Sequence, residues 1–178
     1  MTRIIAGSAG GRRLVTPAGS ATRPTSDRAR EGLFSTLQSL RDLEGARVLD
    51  LYAGTGALGL EALSRGAAVA TLVEQDPRAL AAIRSNVDAL GLPATVVDAD
   101  VTRFLGTEPA PYDVVVLDPP YELEVDGVLG ALLPWLAEQG LVVVERRTRG
   151  TAPVPPSGLR ADRSRRYGDA TLWYFSRP

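Results

Sequence analysis

Asp118-Pro119-Pro120-Tyr121 is the stretch whose residue types restrict the chemistry most narrowly. It follows a run from Tyr112 to Leu117 that is almost wholly apolar. Two consecutive prolines lack N–H groups and have a fixed φ, so the turn is stiff and its carbonyls face no neighbouring amide donors. A carboxylate and a proline carbonyl placed this way can accept the two hydrogens of an exocyclic planar amine, which aims the nitrogen lone pair at an incoming methyl group. Tyr121 can stack on the ring that carries the amine. As the methyl arrives in line, positive charge grows on nitrogen, and Asp118 and the aromatic face stabilise it. Without further support the same four residues would make only a rigid exit from a strand.

A second stretch, Val48 to Gly59, is a short apolar run carrying Asp50, then Tyr52-Ala53, then Gly54-x-Gly56-x-x-Gly59. It reads as a strand delivering a ligand-binding loop, with a helix after it. The glycine spacing also fits a dinucleotide fingerprint and is weak alone. Asp50 shifts the balance, because a carboxylate four residues ahead of Gly54 would repel a pyrophosphate. S-adenosylmethionine, with its sulfonium and amino groups and no phosphate, suits the site better. In an open α/β sheet, ligands sit outside the carboxyl ends of the strands. By that rule Glu74, with Gln75 beside it, is placed for the ribose hydroxyls. Asp100 is placed for the adenine amino group, with Val101 against the ring, and Asp98 and Asp118 complete a set of acids at strand ends.

Composition removes other chemistries. The chain has no cysteine and no histidine, which excludes disulfides, Cys/His zinc sites, thiol nucleophiles and imidazole bases; no metal site is expected. Every basic residue is arginine, and the net charge of -1 hides a segregation. Residues 1–47 carry eight Arg against four acids, 48–145 four against fifteen, and 146–178 eight against two. Basic ends around an acidic middle suit an anionic polymer held by the termini. The candidate contacts are Arg3, Arg12, Arg13, Arg23, Arg28, Arg165 and Arg166. No apolar run is long enough for a membrane span and no secretory segment opens the chain, so a cytoplasmic monomer is expected.

The elements that must position these residues follow from the pattern. Arg3–Gly7 and Arg12–Val15 flank Ser8-Ala9-Gly10-Gly11 as a small basic hairpin. A helix is predicted from Arg28 to Leu40 behind Thr25-Ser26-Asp27, with Ala29, Leu33, Phe34, Leu37 and Leu40 on one face. Strand and helix then alternate: strands 47–51, 69–74, 94–97, 112–117 and 141–145, helices 57–65, 77–90, 101–105 and 125–138. This is an α/β chain with an open parallel sheet. Prolines at 153, 155 and 156 preclude a crossover helix, and 159–167 and 171–175 read as an antiparallel hairpin at one sheet edge. The division is residues 1–24 as a hairpin extension and 25–178 as the main domain.

Taken together, Arg3-Ile4-Ile5-Ala6-Gly7, Arg12-Arg13-Leu14, the run Arg23 to Phe34, Asp50 to Gly56 and Asp118 to Tyr121 resemble the RsmD family of bacterial 16S rRNA guanine-N2 methyltransferases. The resemblance implies a class I S-adenosylmethionine-dependent methyltransferase (Rossmann-like) fold with a seven-stranded, mostly parallel sheet. It also implies a basic N-terminal hairpin on rRNA and, as partner, 16S rRNA within the 30S subunit or an assembly intermediate. The proline-rich 150–158 region departs from the longer helical crossover of many such enzymes. From the residues alone, adenine N6 in DNA or RNA fits the same turn as well as guanine N2 does. An NAD-dependent oxidoreductase, resting on the glycines only, and a noncatalytic RNA-binding scaffold are the other readings.

Overall fold

The computed structural model describes residues 2–17 and 26–178. Its centre is a seven-stranded sheet made of β1 (Arg47–Leu51), β2 (Val69–Glu74), β3 (Ala94–Asp98), β4 (Tyr112–Leu117), β5 (Leu136–Arg147), β6 (Arg160–Tyr167) and β7 (Ala170–Ser176). The spatial order is β3-β2-β1-β4-β5-β7-β6. The first five strands are mutually parallel, and β7 runs antiparallel to both β5 and β6. The order reverses between β1 and β4, so the crevice outside their carboxyl ends is where this architecture places ligands.

Both faces of the sheet are covered, which explains why the central strands are apolar at successive positions. On one face, Val48, Leu72, Val114, Val143 and Tyr174 pack with α1 (Asp27–Leu40), α2 (Ala57–Ser64) and α3 (Pro77–Leu90) through Leu33, Phe34, Leu37, Leu60, Leu63 and Ile83. On the other, Leu49, Leu51, Val115, Leu117 and Val144 pack with α4 (Val101–Leu105) and α5 (Asp126–Ala131) through Val101 and Leu129. Local signals set the helix ends. The Ser26 hydroxyl accepts from Ala29 N at the start of α1, Asp76 accepts from Arg78 N and Ala79 N ahead of Pro77, and Gly91 ends α3 at φ +63°. No helix among the described residues is long and apolar enough to cross a membrane.

The expected helix 125–138 is shorter, and the expected strand 141–145 is longer. The α-helix stops at Ala131, a 3-10 turn covers Leu133–Trp135, and β5 begins at Leu136. Pro134 has no N–H to continue an α-helix, and Gly127 and Gly130 weaken it further. The extra strand length absorbs an irregularity: Tyr112 pairs with Leu136 but Val114 with Leu141, around Gln139 at φ +58°. At its other end β5 continues through Arg146 and Arg147, paired with Thr171 and Ala170.

The N-terminal residues form a narrow hairpin with one β-bridge, Arg3 to Arg13, and backbone bonds from Ile4 N to Arg12 O (2.9 Å) and Leu14 N to Thr2 O (2.9 Å). It is fastened to the helices. Buried Glu61 accepts from Ile5 N at 2.7 Å and Ala6 N at 3.0 Å, Ser64 Oγ accepts from Ala9 N at 2.9 Å, and Ile4 and Leu14 are buried in the core of that face.

Candidate active site

Strand register places Glu74, Asp98 and Asp118 in one row, with Asp50 two levels deeper in β1, paired with Leu72 and Val116. Leu51 pairs with Val73 and Leu117, Leu117 with Val144, and Glu74 with Asp98. At the next level, along the carboxyl edge, stand Asp98 and Glu74 at the ends of β3 and β2, Tyr52 and Asp118 just past β1 and β4, and Glu145 within β5. The loop after β1 carries left-handed backbone at Tyr52 (φ +62°), Gly54 (φ +57°) and Gly56 (φ +78°). For Tyr52 that conformation is strained, and strain of this kind concentrates at ligand sites. A Cβ added to Gly54 would meet nothing within 4 Å, so the backbone there borders open space, whereas one at Gly59 would lie 2.1 Å from Leu72 Cδ2. Gly54 fits the approach of a ligand, and Gly59 lets α2 close onto β2.

Side chains hold this loop from three directions. Glu74 Oε2 accepts from Gly54 N at 2.8 Å, and Asn86 Nδ2 donates to the Thr55 carbonyl at 3.0 Å. Asp50 Oδ2 accepts from Gly59 N at 2.8 Å. Asp50 is buried, and Oδ1 has no hydrogen-bond partner among the described residues. Burial pushes its carboxyl up to about 8; the Gly59 N–H offsets part of the rise, and the charges of Asp118 and Glu74 add to it. Asp118 and Glu74 therefore both lie within electrostatic reach of Asp50. Glu74 also accepts from Gln75 N and Asp76 N through Oε1, leaving Oε2 with capacity for one further donor. Asp100 caps α4 through Oδ1, accepting from Thr102 N at 2.9 Å and Arg103 N at 3.1 Å. Burial, with the charge of Asp100 added, pushes the Tyr52 hydroxyl up to about 12. Val101 is buried beside them, and Gln75 is exposed.

The Asp-Pro-Pro-Tyr turn leaves β4 with Asp118 half-buried, Pro119 buried, Pro120 exposed and Tyr121 half-buried. Arg146 reaches over from β5, donating from Nη1 to the Pro120 carbonyl at 3.2 Å and from Nη2 to the Tyr121 carbonyl at 2.8 Å. The Arg147 guanidinium lies over the Tyr121 ring, 4.5 Å from its centroid. Burial raises the Tyr121 hydroxyl, Glu145 and Asp118 raise it further, and the two arginines oppose them. Two open concavities of about 590 and 580 Å³ lie elsewhere and are lined by none of these acids.

The family model described as Conserved hypothetical protein 95 matches residues 2–176. Ribosomal RNA small subunit methyltransferase D of Escherichia coli K12 is 36% identical over 179 residues, covering 98% of this chain and 89% of that one. The chain belongs to the RsmD family. Among solved structures, the Escherichia coli protein yhhF superposes with a TM-score of 0.88 at 34% identity, covering 98% of this chain and 97% of that one. A Thermus thermophilus protein gives a TM-score of 0.83 at 34% identity, with 98% of each chain covered. The fold is that of the class I S-adenosylmethionine-dependent methyltransferases, whose methyl donor is S-adenosylmethionine.

The basic residues of this RsmD-family chain are more dispersed than its acids. Arg3 pairs with Asp27 (3.3 Å), Arg12 donates to the Ala89 carbonyl in the last turn of α3 (2.8 Å), and Arg13 and Arg28 are exposed. Arg23 lies outside the described residues. Arg165 pairs with Leu172, on the α1 side of the sheet, and Arg166 with Thr171, so these neighbours point to opposite faces. Sequence reasoning missed three residues at the site: Asn86, Arg146 and Arg147. Asn86 had a helical signal only. The arginines directly follow a strand expected to end at Glu145, next to the strand that carries the turn.

Proposed function

We propose that this chain transfers a methyl group from S-adenosylmethionine to the exocyclic N2 amine of a guanine in 16S rRNA, within the small subunit or an assembly intermediate. The observation that carries the reading is Asp118, in a proline-stiffened turn within electrostatic reach of the buried Asp50 beneath the glycine loop. The residues present fit the cofactor: open space borders Gly54, and an unpartnered carboxyl oxygen lies beneath the loop. In this reading Tyr52, Ala53, Gly54 and Gly56 line it, and Glu74 with Gln75 takes the ribose hydroxyls. Asp100 and Val101 take the adenine, and Asp50 faces the ammonium group. When bound, the cofactor supplies an electrophilic methyl on sulfur.

The chain's own residues orient the acceptor. Asp118 and the Pro119 carbonyl accept the two amine hydrogens, and Tyr121 offers one ring face to the base because Arg147 covers the other. Asp118 balances the positive charge growing on nitrogen, a task that needs no imidazole. Arg3, Arg12, Arg13, Arg23 and Arg28, together with Arg165 or Arg166, would hold the RNA backbone around the acidic centre. Family membership favours small-subunit rRNA over DNA. Mass spectrometry of nucleosides after methylation of 16S rRNA in vitro tests the base: N2-methylguanosine is the expected product, whereas N6-methyladenosine would move the activity to the other amine.

A further inference from the structure

We infer that Arg146 is a positioning residue of the Asp-Pro-Pro-Tyr turn: by holding the Pro120 and Tyr121 carbonyls it fixes the orientation of the turn that carries Asp118 and the Pro119 carbonyl to the substrate amine. The inference rests on the base-amine reading above. The two prolines that keep competing donors away also deprive the turn of backbone N–H groups with which to anchor itself. One backbone bond, from Leu123 N to the Pro120 carbonyl at 3.0 Å, fastens it within its own loop. Arg146 supplies two more, at 3.2 and 2.8 Å, to successive carbonyls from one planar group. A rigid fork on two adjacent carbonyls fixes the orientation of the peptide between them, which a single-point ammonium cannot do.

The fork is itself anchored. Arg146 is paired across β7 to Thr171, and Val144, two residues earlier, is in register with Leu117 at the end of β4. Among the described residues no donor reaches the Pro119 carbonyl. Arg146 has both terminal nitrogens committed to carbonyls and is half-buried, so it serves the turn itself; Arg147 beside it is exposed and steadies the Tyr121 ring.

Steady-state kinetics on small-subunit rRNA, with calorimetric titration of S-adenosylmethionine, tests the assignment. Arg146→Ala is expected to lower kcat by roughly 30- to 100-fold, because a small misplacement of a reacting group costs rate steeply. KM for RNA and the cofactor Kd should stay within about twofold of the unsubstituted chain. Arg146→Lys should recover part of kcat, since one donor returns. A kcat within twofold for Arg146→Ala overturns the inference, as does a loss that merely tracks weaker cofactor binding or a lower melting temperature. Asp118→Ala separates the two levels of argument. If it also retains full turnover, the base-amine reading fails; if it is inactive while Arg146→Ala is not, only the role of Arg146 fails.

Discussion

The two halves of the crevice, proposed for the cofactor and for the substrate, are built by opposite means. Around β1, β2 and β3 the acids bond to backbone N–H groups: Glu74 to Gly54, Gln75 and Asp76, Asp100 to Thr102 and Arg103, Asp50 to Gly59. Around β4 and β5 the turn presents carbonyls, and Arg146 from the neighbouring strand satisfies two of them. The first half is an anionic cradle wired to its own loops. The second is a donor-poor corner stiffened by proline and braced from a distance. Each polarity suits its guest: acids and N–H groups for a ligand with hydroxyls and cationic centres, a carboxylate and carbonyl acceptors for an amine.

The largest expected effect belongs to the second half. Asp118→Ala should lower kcat by at least about 100-fold, by analogy with losing one charge-stabilising group, and change cofactor Kd by no more than a few-fold. A variant that lost cofactor binding and turnover together would erase the distinction between the halves. Glu74→Ala should do the reverse, weakening S-adenosylmethionine roughly 10- to 100-fold because charge-assisted hydrogen bonds are lost, with kcat at saturation nearly unchanged. Asn86→Ala frees the Thr55 carbonyl and should raise cofactor Kd about fivefold, the equivalent of roughly one hydrogen bond. Calorimetry measures both.

Asp50 sharpens the contrast through pH. A carboxyl raised to about 8 in the folded chain binds a proton that the unfolded chain releases near 4. Its stabilising contribution is complete below the unfolded value and is lost as pH rises through about 8. The melting temperature of the unliganded protein should therefore fall between pH 5 and 8, and Asp50→Asn should flatten that fall. A cationic ligand favours the ionised carboxylate, so cofactor binding at pH 7 should release close to one proton, readable as a buffer-dependent heat. A flat profile in the unsubstituted chain would remove Asp50 from the cradle. Smallest of all, Arg12→Ala with Arg13→Ala should reduce the log-log salt slope of RNA binding by about 0.7 to 0.9 per contact.

Legibility followed the same division. The glycine loop, Glu74, Asp100 and the acidic row could be read because their partners are near in sequence or fixed by strand-end rules, and four of the parallel strands and four of the five helices fell where apolar periodicity put them. Ser26 announced the start of its helix for the same local reason. Arg146 could not be read, since its partners lie 25 and 26 positions away and depend on β5 running past Glu145. The overlong helix at 125–138 came from weighting apolar spacing above Pro134. Asn86 was hidden differently: it looks like any polar residue on a helix, and only packing reveals that it grips both Val15 and the loop.

The central claim is that Asp118 and its proline turn present a nucleobase amine to the methyl donor. Labelled methyl transfer to 30S particles from a strain lacking the modification, followed by nucleoside mass spectrometry, tests it most directly when Asp118→Ala is run beside the unsubstituted chain. The expected result is one N2-methylguanosine per 16S rRNA that vanishes with Asp118→Ala. Methylation of a ribose hydroxyl or a ring carbon, or an undiminished yield from Asp118→Ala, would contradict the account.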